Sequence, residues 1–290
     1  MNSKDFMLEV IFDFGTNDGA DIPYYLMKAS TVVAVEANPI LCDQIRAEYI
    51  NEVANGRLKI ENVAVTVEET GQTDFYVHRM NHGLSQLGKP EHPEQYDRIN
   101  IPSLNVGELL QKYLSTDSVL KYYVKVDLEN YDRYIIDAMF KMNFFPNWLS
   151  VESHSIEVMS LIISSGKYSF FNIIEGSQIR DNYNKTKVGF EDKLVDFSFP
   201  EHPAGPFGND IREAWVSGDD LFKILGYVGM GWRDIHATSE VPQKIKELKY
   251  KELRKLAFKS YLKQLYKSLV KSKYRDCIFA LRLKMKSLYR

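Results

Sequence analysis

The sequence predicts an α/β fold, a Rossmann-like arrangement with a mostly parallel central sheet and helices on both faces, followed by a basic helical tail. Three observations carry the prediction. The runs Leu8–Phe14, Thr31–Val35 and Tyr122–Val126 are near-continuous apolar, β-branched or aromatic segments, the pattern of strands buried on both faces. Helical patterns separate them, as βαβ units require. The charge also divides along the chain: residues 242–290 hold 16 Lys+Arg against 3 Asp+Glu, or +13, so that of the net −2 the first 241 residues carry −15. The chain shows no internal repeat and no low-complexity run, and the organisation expected is one domain over residues 1–240 and a basic amphipathic helical tail over 241–290.

The first strand ends in the stretch Asp13–Gly19, DFGTNDG. Gly15 and Gly19 permit positive φ and close backbone approach, while Asn17 and Asp18 suit a turn and can cap a helix starting near Ala20. Strand, glycine turn and helix N-terminus make a ligand-binding geometry, although a D-x-G near a strand end is often a plain turn. A dinucleotide would set its pyrophosphate over the backbone N–H groups. Asp13 would repel that group, and Gly15-x-x-x-Gly19 departs from G-x-G-x-x-G. A carboxylate at the strand end instead suits a ligand with a cationic amino group, such as the methionine end of S-adenosylmethionine.

The helix Ala20–Ala29 offers Tyr24, Tyr25 and Met27 for packing and carries Pro23 in its first turn. The second strand ends on Glu36, 23 residues beyond Asp13, where an acidic residue of βαβ nucleotide folds accepts hydrogen bonds from ribose hydroxyls. Pro39 opens the next helix, with Ile40, Ile45, Tyr49 and Ile50 near helical spacing. Leu58–Val67 reads as a third strand whose end would face an adenine, and Gly71–His78 as its hairpin partner. Arg79–Asp97 is a long polar loop, Ile99–Ile101 a short strand and Leu104–Leu114 a helix. Tyr122–Val126 ends in Asp127 and Glu129, Ile135–Met142 is a helix, and Trp148–Val151 runs into Glu152, Ser153 and His154. Carboxylates and a histidine thus gather at one carboxyl edge with Asp13 and Glu36, the edge where open α/β sheets bind ligands. Ile156–Ser165 is a helix, Tyr168–Glu175 and Lys193–Phe199 are closing strands, and a helix contains Trp215. Lys244 onward is helical, with Ile245, Leu248, Leu256, Leu262, Leu265 and Leu269 among lysines.

At 290 residues and 44% hydrophobic, the chain can bury one large core plus an appendage. Cys42 and Cys277 lie far apart, which suggests neither a disulfide framework nor a zinc site and fits a reducing, cytoplasmic compartment. The first strand begins too early to leave room for a signal peptide, and no apolar run approaches the roughly 20 residues of a membrane span. An acidic body is a poor nucleic-acid binder, so no nucleic-acid partner is expected. Residues 242–290 could instead associate peripherally with an anionic membrane on its cytoplasmic face, pack on the acidic body or join a homo-oligomer.

Together DFGTNDG, VEANP, VKVDLENYD and VESH resemble the D-x-G-x-N-x-G, post-strand acidic, K-x-D-x-E-G and following-strand segments of the FkbM family of S-adenosylmethionine-dependent methyltransferases, in order and spacing over roughly residues 8 to 155. GPFGND and GWRDIHA resemble segments of members associated with bacterial surface polysaccharides. Asn130 stands where the family usually has glycine, and its next acidic residue is matched only by Asp132. The resemblance implies a class I methyltransferase fold and O-methylation, commonly of a sugar hydroxyl, so the expected partner is a glycan or another small hydroxylated acceptor. It places the methionine portion of the cofactor at Asp13, Gly15, Asn17 and Gly19, the ribose at Glu36 within Glu36-Ala37-Asn38, and the floor near the sulfonium at Asp127. The bland alternative for Asp127 and Glu129 is helix capping.

A sugar hydroxyl is a weak nucleophile, so a general base within hydrogen-bond reach is expected. His154 is the first candidate and Glu129 the second, with His82 and His236 as residues a loop could bring over the site. A divalent metal held by Asp127, Glu129, Glu152 or His154 could lower the hydroxyl pKa instead. The sequence shows no compact metal motif, so no metal ligands are assigned and the metal route ranks below the base. Two other readings remain, a nicotinamide oxidoreductase, which Asp13 and the loop spacing disfavour, and a catalytically silent scaffold that presents the tail. Calorimetry with S-adenosylmethionine and with NAD separates all three.

Overall fold

The computed structural model describes residues 8–114, 121–153, 155–190, 193–200 and 203–271. Contacts divide the chain into two units, Met1–Trp215 with Met230–Ile245, and Val216–Gly229 with Lys246–Arg290. The first begins β1 (Leu8–Phe14), α1 (Ile22–Lys28), β2 (Ala29–Val35), α2 (Pro39–Glu48), α3 (Ile50–Ala54), β3 (Leu58–Glu61). It continues through β4 (Ala64–Thr66), β5 (Gly71–His78), β6 (Tyr96–Asn105), α4 (Val106–Gln111), β7 (Tyr122–Val126), α5 (Asp132–Lys141), β8 (Trp148–Glu152) and α6 (Ile156–Ser164). Then come β9 (Phe170–Glu175), α7 (Ile179–Asn182), β10 (Thr186–Phe190) and β11 (Lys193–Phe197). The second unit contains α8 (Gly218–Val228), β12 (Arg233–Thr238) returns to the first, and α9 (Tyr250–Lys271) belongs to the second.

Seven strands form the central sheet in the order β3-β2-β1-β7-β8-β12-β9. β1, β2, β3, β7 and β8 pair in parallel, and β12 alone runs opposite to both its neighbours. The mostly parallel Rossmann-like α/β fold expected from the sequence is therefore the fold present. Side chains alternate between two buried faces, as parallel strands covered on both sides require. Ile11, Val32, Ala34 and Tyr123 join one core with Tyr24, Tyr25 and Leu26 of α1. Phe12, Phe14, Val33, Val35, Val124 and Val126 are equally buried on the alternate positions. Phe12 meets Tyr113, just past α4, at 6.2 Å between ring centroids.

Several elements differ from the sequence reading. Leu58–Val67 is two strands, because the Asn62 side chain turns back to donate to the carbonyls of Glu36 and Ala37 at 3.0 and 3.2 Å. β4 then leaves the main sheet for a three-stranded one, where β6 pairs in parallel with β4 and antiparallel with β5. Gly71–His78 is accordingly the partner of β6, and the strand expected at Ile99–Ile101 is the full ten-residue β6. Lys193–Phe199 does not close the main sheet but pairs as β11 with β10 in a separate hairpin. The strand expected at Tyr168–Glu175 does close the sheet, as β9, and between it and β8 lies β12, a strand buried along its length that its charged residues Arg233, Asp234 and His236 hid. Trp215 lies outside any helix; its N–H donates to the carbonyl of Lys244 at 2.8 Å, and the tail helix starts only at Tyr250. Ile40 and Ile50 are exposed, and Leu41, Cys42 and Ile45 form the inner face of α2.

Gly15 fixes the path between β1 and β2. Its φ is +83°, and a Cβ there would stand 1.9 Å from the backbone oxygen of Asp127. Gly15→Ala should therefore lower stability by roughly 3 kcal/mol or more, since a positive φ and a backbone clash both oppose it. Thermal denaturation checks this; a melting temperature within a degree or so of wild type would refute the close packing of the loop on β7.

Candidate functional site

The carboxyl ends of β1, β2, β7 and β8 and the N-terminal end of the reversed β12 meet at one edge, where the chain encloses a cavity of about 980 Å³ open to solvent. Its first wall is the loop after β1. The amides of Gly15 and Thr16 both donate to the carbonyl of Val35, at 3.0 and 3.1 Å, which fastens the loop to the end of β2. Asn17, at φ +55°, then donates its amide to Glu36 Oε2 at 2.8 Å, and the amide of Asn38 donates to Glu36 Oε1 at 2.7 Å. Each carboxylate oxygen of Glu36 keeps a lone pair for a further donor. Burial dominates its titration and pushes its pKa up to about 7, against the lowering effect of those two amides. Beside Glu36 the cavity becomes apolar, lined by Val63, Ala64, Val65, Phe75 and Leu87.

The opposite end is acidic. Lys125 of β7 is buried there, with its Nζ 3.1 Å from Asp127 Oδ2 and 3.9 Å from Asp13 Oδ1. Burial alone would depress its pKa, but Asp127, Asp13, Asp21 and Asp234 raise it well above the ordinary lysine value. The same burial raises the pKa values of the carboxyls: that of Asp13 is raised, that of Asp21 is pushed up to about 7 and that of Asp234 is raised well above its ordinary value. Asp127, Glu129 and Glu152 bring one oxygen each within 4.8 Å of one another, a hard-oxygen set of the kind that suits magnesium. Glu129 and Asn130 have φ of +43° and +72°. The second explains how the site does without the family's glycine, because asparagine tolerates the left-handed region better than most residues with a side chain. The first is a strained conformation for glutamate, the sort found where a side chain must be aimed.

A second wall comes from far along the chain. Asp21 accepts the amides of Ala204 and Gly205 at 2.7 and 3.3 Å, and Tyr24 Oη accepts the amide of Phe207 at 3.2 Å while donating to Asp210 at 2.7 Å. Lys28 meets the same Asp210 oxygen at 2.9 Å, and Phe207 stacks on Tyr123 at 3.9 Å. This brings Pro203 and Ala204 to the cavity. The rim beside them is Trp232, 43% exposed, its ring laid on Gly176 so closely that a Cβ there would stand 2.5 Å from it.

Of the residues selected from the sequence, Gly15, Asn17, Glu36, Ala37, Asp127 and Glu129 line the cavity, and so does His82, whose Nδ1 lies 3.4 Å from Asn38 Nδ2. Asp13, Gly19 and Asn38 do not line it. Asp13 lies beneath, opposite Lys125 in the β1–β7 register, with neither carboxylate oxygen hydrogen-bonded. Gly19 packs on Ile22 and Ile45, and Asn38 caps α2 while orienting Glu36. His236 is buried away from the cavity, its Nε2 has no hydrogen-bond partner, and burial lowers its pKa to about 3, so it stays neutral. His154 lies outside the described residues. Asp132, rather than Asp127 or Glu129, closes the loop onto its helix by accepting the amide of Leu128 at 2.9 Å. Sequence reasoning missed Asp21, Lys125, Trp232 and Asp234. Lys125 stood in VKVDLENYD, and Trp232 and Asp234 stood in GWRDIHA, both already quoted, whereas Asp21 stood in neither.

Comparison with protein-family models and with curated proteins finds no match. Among solved structures, the methyltransferase FkbM of Methylobacillus flagellatus KT is 13% identical with a TM-score of 0.34; the match covers 56% of this chain and 37% of that one. A candidate tRNA (m1A22) methyltransferase of Streptococcus pneumoniae, in complex with S-adenosyl-L-methionine, is 9% identical with a TM-score of 0.37, covering 99% of this chain and 96% of the other. A precorrin-6y C5,15-methyltransferase of Geobacter metallireducens is 10% identical with a TM-score of 0.33, covering 82% and 84%. With every TM-score below 0.5, these likenesses say nothing about activity.

The raised pKa of Asp21 has a thermodynamic consequence. An acid whose pKa is about 7 folded and near 3.8 unfolded binds more protons in the folded state between those values, so its contribution to stability is present at low pH and is lost as pH rises toward 7. Asp21→Asn keeps an acceptor for Ala204 and removes that dependence. Relative to wild type, the melting temperature of the unliganded variant should rise by several degrees between pH 5 and pH 8. A difference that stays constant with pH would show that Asp21 does not titrate in this range.

Proposed function

We propose that the protein binds S-adenosylmethionine in this cavity and transfers its methyl group to a hydroxyl oxygen, the acceptor being a sugar of a bacterial surface polysaccharide or a related glycan. The observation that carries the reading is the charge of the site. Its polar end gathers Asp21, Asp127, Glu129 and Asp234 around one lysine, an environment that attracts a sulfonium and an ammonium and repels a pyrophosphate. The apolar end beside Glu36 suits an adenine whose ribose hydroxyls donate to the Glu36 carboxylate. The motif resemblance to FkbM proteins supports the choice of an oxygen acceptor and of a glycan.

When bound, the cofactor supplies an electrophilic methyl carbon. The chain's own residues position and deprotonate the acceptor. Asp127, held by Lys125, forms the floor, and Trp232 offers a flat face at the rim against which the C–H face of a sugar ring can lie. Glu129 lines the cavity in its strained conformation and is the base within the described residues, taking the hydroxyl proton as the methyl group is transferred. The cluster of Asp127, Glu129 and Glu152 favours a second reading, in which a divalent cation lowers the hydroxyl pKa.

A screen for labelled methyl transfer over nucleotide-linked and lipid-linked glycans tests the reaction. Glu36→Ala should weaken S-adenosylmethionine binding about tenfold or more, the loss of a charge-assisted pair of about 1.5 to 3 kcal/mol. Unchanged affinity with an intact fold would sink the cofactor assignment. Glu129→Gln should lower turnover roughly 100-fold, far more than it weakens cofactor binding. If His154→Ala has that effect and Glu129→Gln does not, the histidine is the base; abolition of activity by a chelator would establish the metal route.

A further inference from the structure

We propose that α9 is a docking surface for an anionic lipid bilayer, on which it lies along the plane of the headgroups. This goes beyond methyl transfer and stands or falls separately from it. The helix runs 22 residues, Tyr250–Lys271, and its sequence holds seven basic residues and a single acidic one, Glu252. No helix among the described residues is long and apolar enough to cross a membrane. The described part of α9 has three different sides. Leu253, Leu256, Ala257 and Ser260 are half-buried and lie along one side. Within its unit the helix packs on α8, and the amide of Leu248 just before it donates to Asp220 at 2.8 Å.

A second side is aromatic and open: Tyr250, Phe258 and Tyr261 are 76%, 51% and 60% exposed. At 3.6 residues per turn the three fall within an arc of about 80°, which also holds the exposed Arg254. The third side borders it and carries Lys251, Lys255 and Lys259, all exposed. Large aromatic side chains left in water along one strip, flanked by lysines whose long stems can reach outward, fit a headgroup boundary. Tyrosine rings settle there between apolar and wet regions, and lysines extend toward the phosphates. The charge complement is an anionic surface, each basic residue near it adding about fivefold to partitioning. The exposed Arg254 lies between Tyr250 and Phe258, so aromatic rings and basic heads share this face, the mixture found at a headgroup boundary.

The test uses the full chain and sedimentation with vesicles of equimolar phosphatidylglycerol and phosphatidylcholine, beside vesicles of phosphatidylcholine alone. Wild type should sediment with the mixed vesicles at low salt, remain in solution with the neutral ones, and be released at high salt. Lys251→Gln with Lys255→Gln and Lys259→Gln should weaken partitioning roughly a hundredfold. Tyr250→Ser with Phe258→Ser and Tyr261→Ser should also weaken it while leaving the salt dependence in place. Because all six residues are exposed, both variants should keep the circular dichroism and S-adenosylmethionine affinity of wild type; variants that unfold would show that these faces are packed and would overturn the proposal. So would wild type that stays in solution at low salt, binding that neither triple substitution changes, or a wild-type dimer or RNA complex that both abolish without any vesicle binding.

Discussion

Lys125 holds a full positive charge inside the edge of the sheet, and the arrangement of the site follows from the carboxylates around it. Burying an ammonium is unfavourable unless opposite charge comes with it. Here Asp127 lies at 3.1 Å, Asp13 faces it across the β1–β7 pair at 3.9 Å, and Asp21 and Asp234 add to the same field. One cation does not neutralise four acids. The end of the cavity is left short of positive charge, while burial, ahead of repulsion between the acids, raises the pKa values of Asp13, Asp21 and Asp234. A cationic ligand relieves that imbalance, which is why the charge of the site, more than its shape, points to a sulfonium cofactor.

The fold supplies these groups through three routes. Parallel pairing brings Asp13 and Lys125 side by side, and Asp127 follows directly because its amide donates to the carbonyl of Phe14 at 3.0 Å. Reversal of β12 puts Asp234 opposite Glu152 in register, so a strand running the other way delivers its first residues to the same edge. Arg233 next to it pairs with Glu175 of β9 at 2.6 Å, which anchors the segment that ends in Trp232. The third route is long-range: Asp21 at the start of α1 holds Ala204 and Gly205, 183 and 184 residues away, and the second wall of the cavity depends on that tie.

What could be read from the sequence was what is local. Continuous apolar runs located β1, β2, β7 and β8 within a few residues, and an acidic residue at the end of a run located Glu36, Asp127 and Glu129. Asp13 satisfied the same local rule, yet its carboxylate turned toward Lys125, more than a hundred positions away, and not toward the cavity. Strand β12 escaped because its pattern is polar; it is buried only through being sandwiched between β8 and β9, a fact about pairing and not about composition. The break after Glu61 depends on one side chain, Asn62, reaching the carbonyls behind Glu36, and no hydropathy pattern records such a bond. Asp21 fell unremarked inside the helix expected over Ala20–Ala29, because its partners lie in a glycine-proline segment near residue 204.

The central claim is that the acidic cavity receives a sulfonium cofactor with its ribose on Glu36. A crystal structure of the protein with S-adenosylhomocysteine tests it most directly. The account predicts ribose hydroxyls within hydrogen-bond distance of the Glu36 carboxylate, the adenine beside Ala64 and Val65, and the sulfur toward Asp127. The product bound elsewhere, or the cavity accepting NAD with its pyrophosphate over the Gly15 loop, would contradict it.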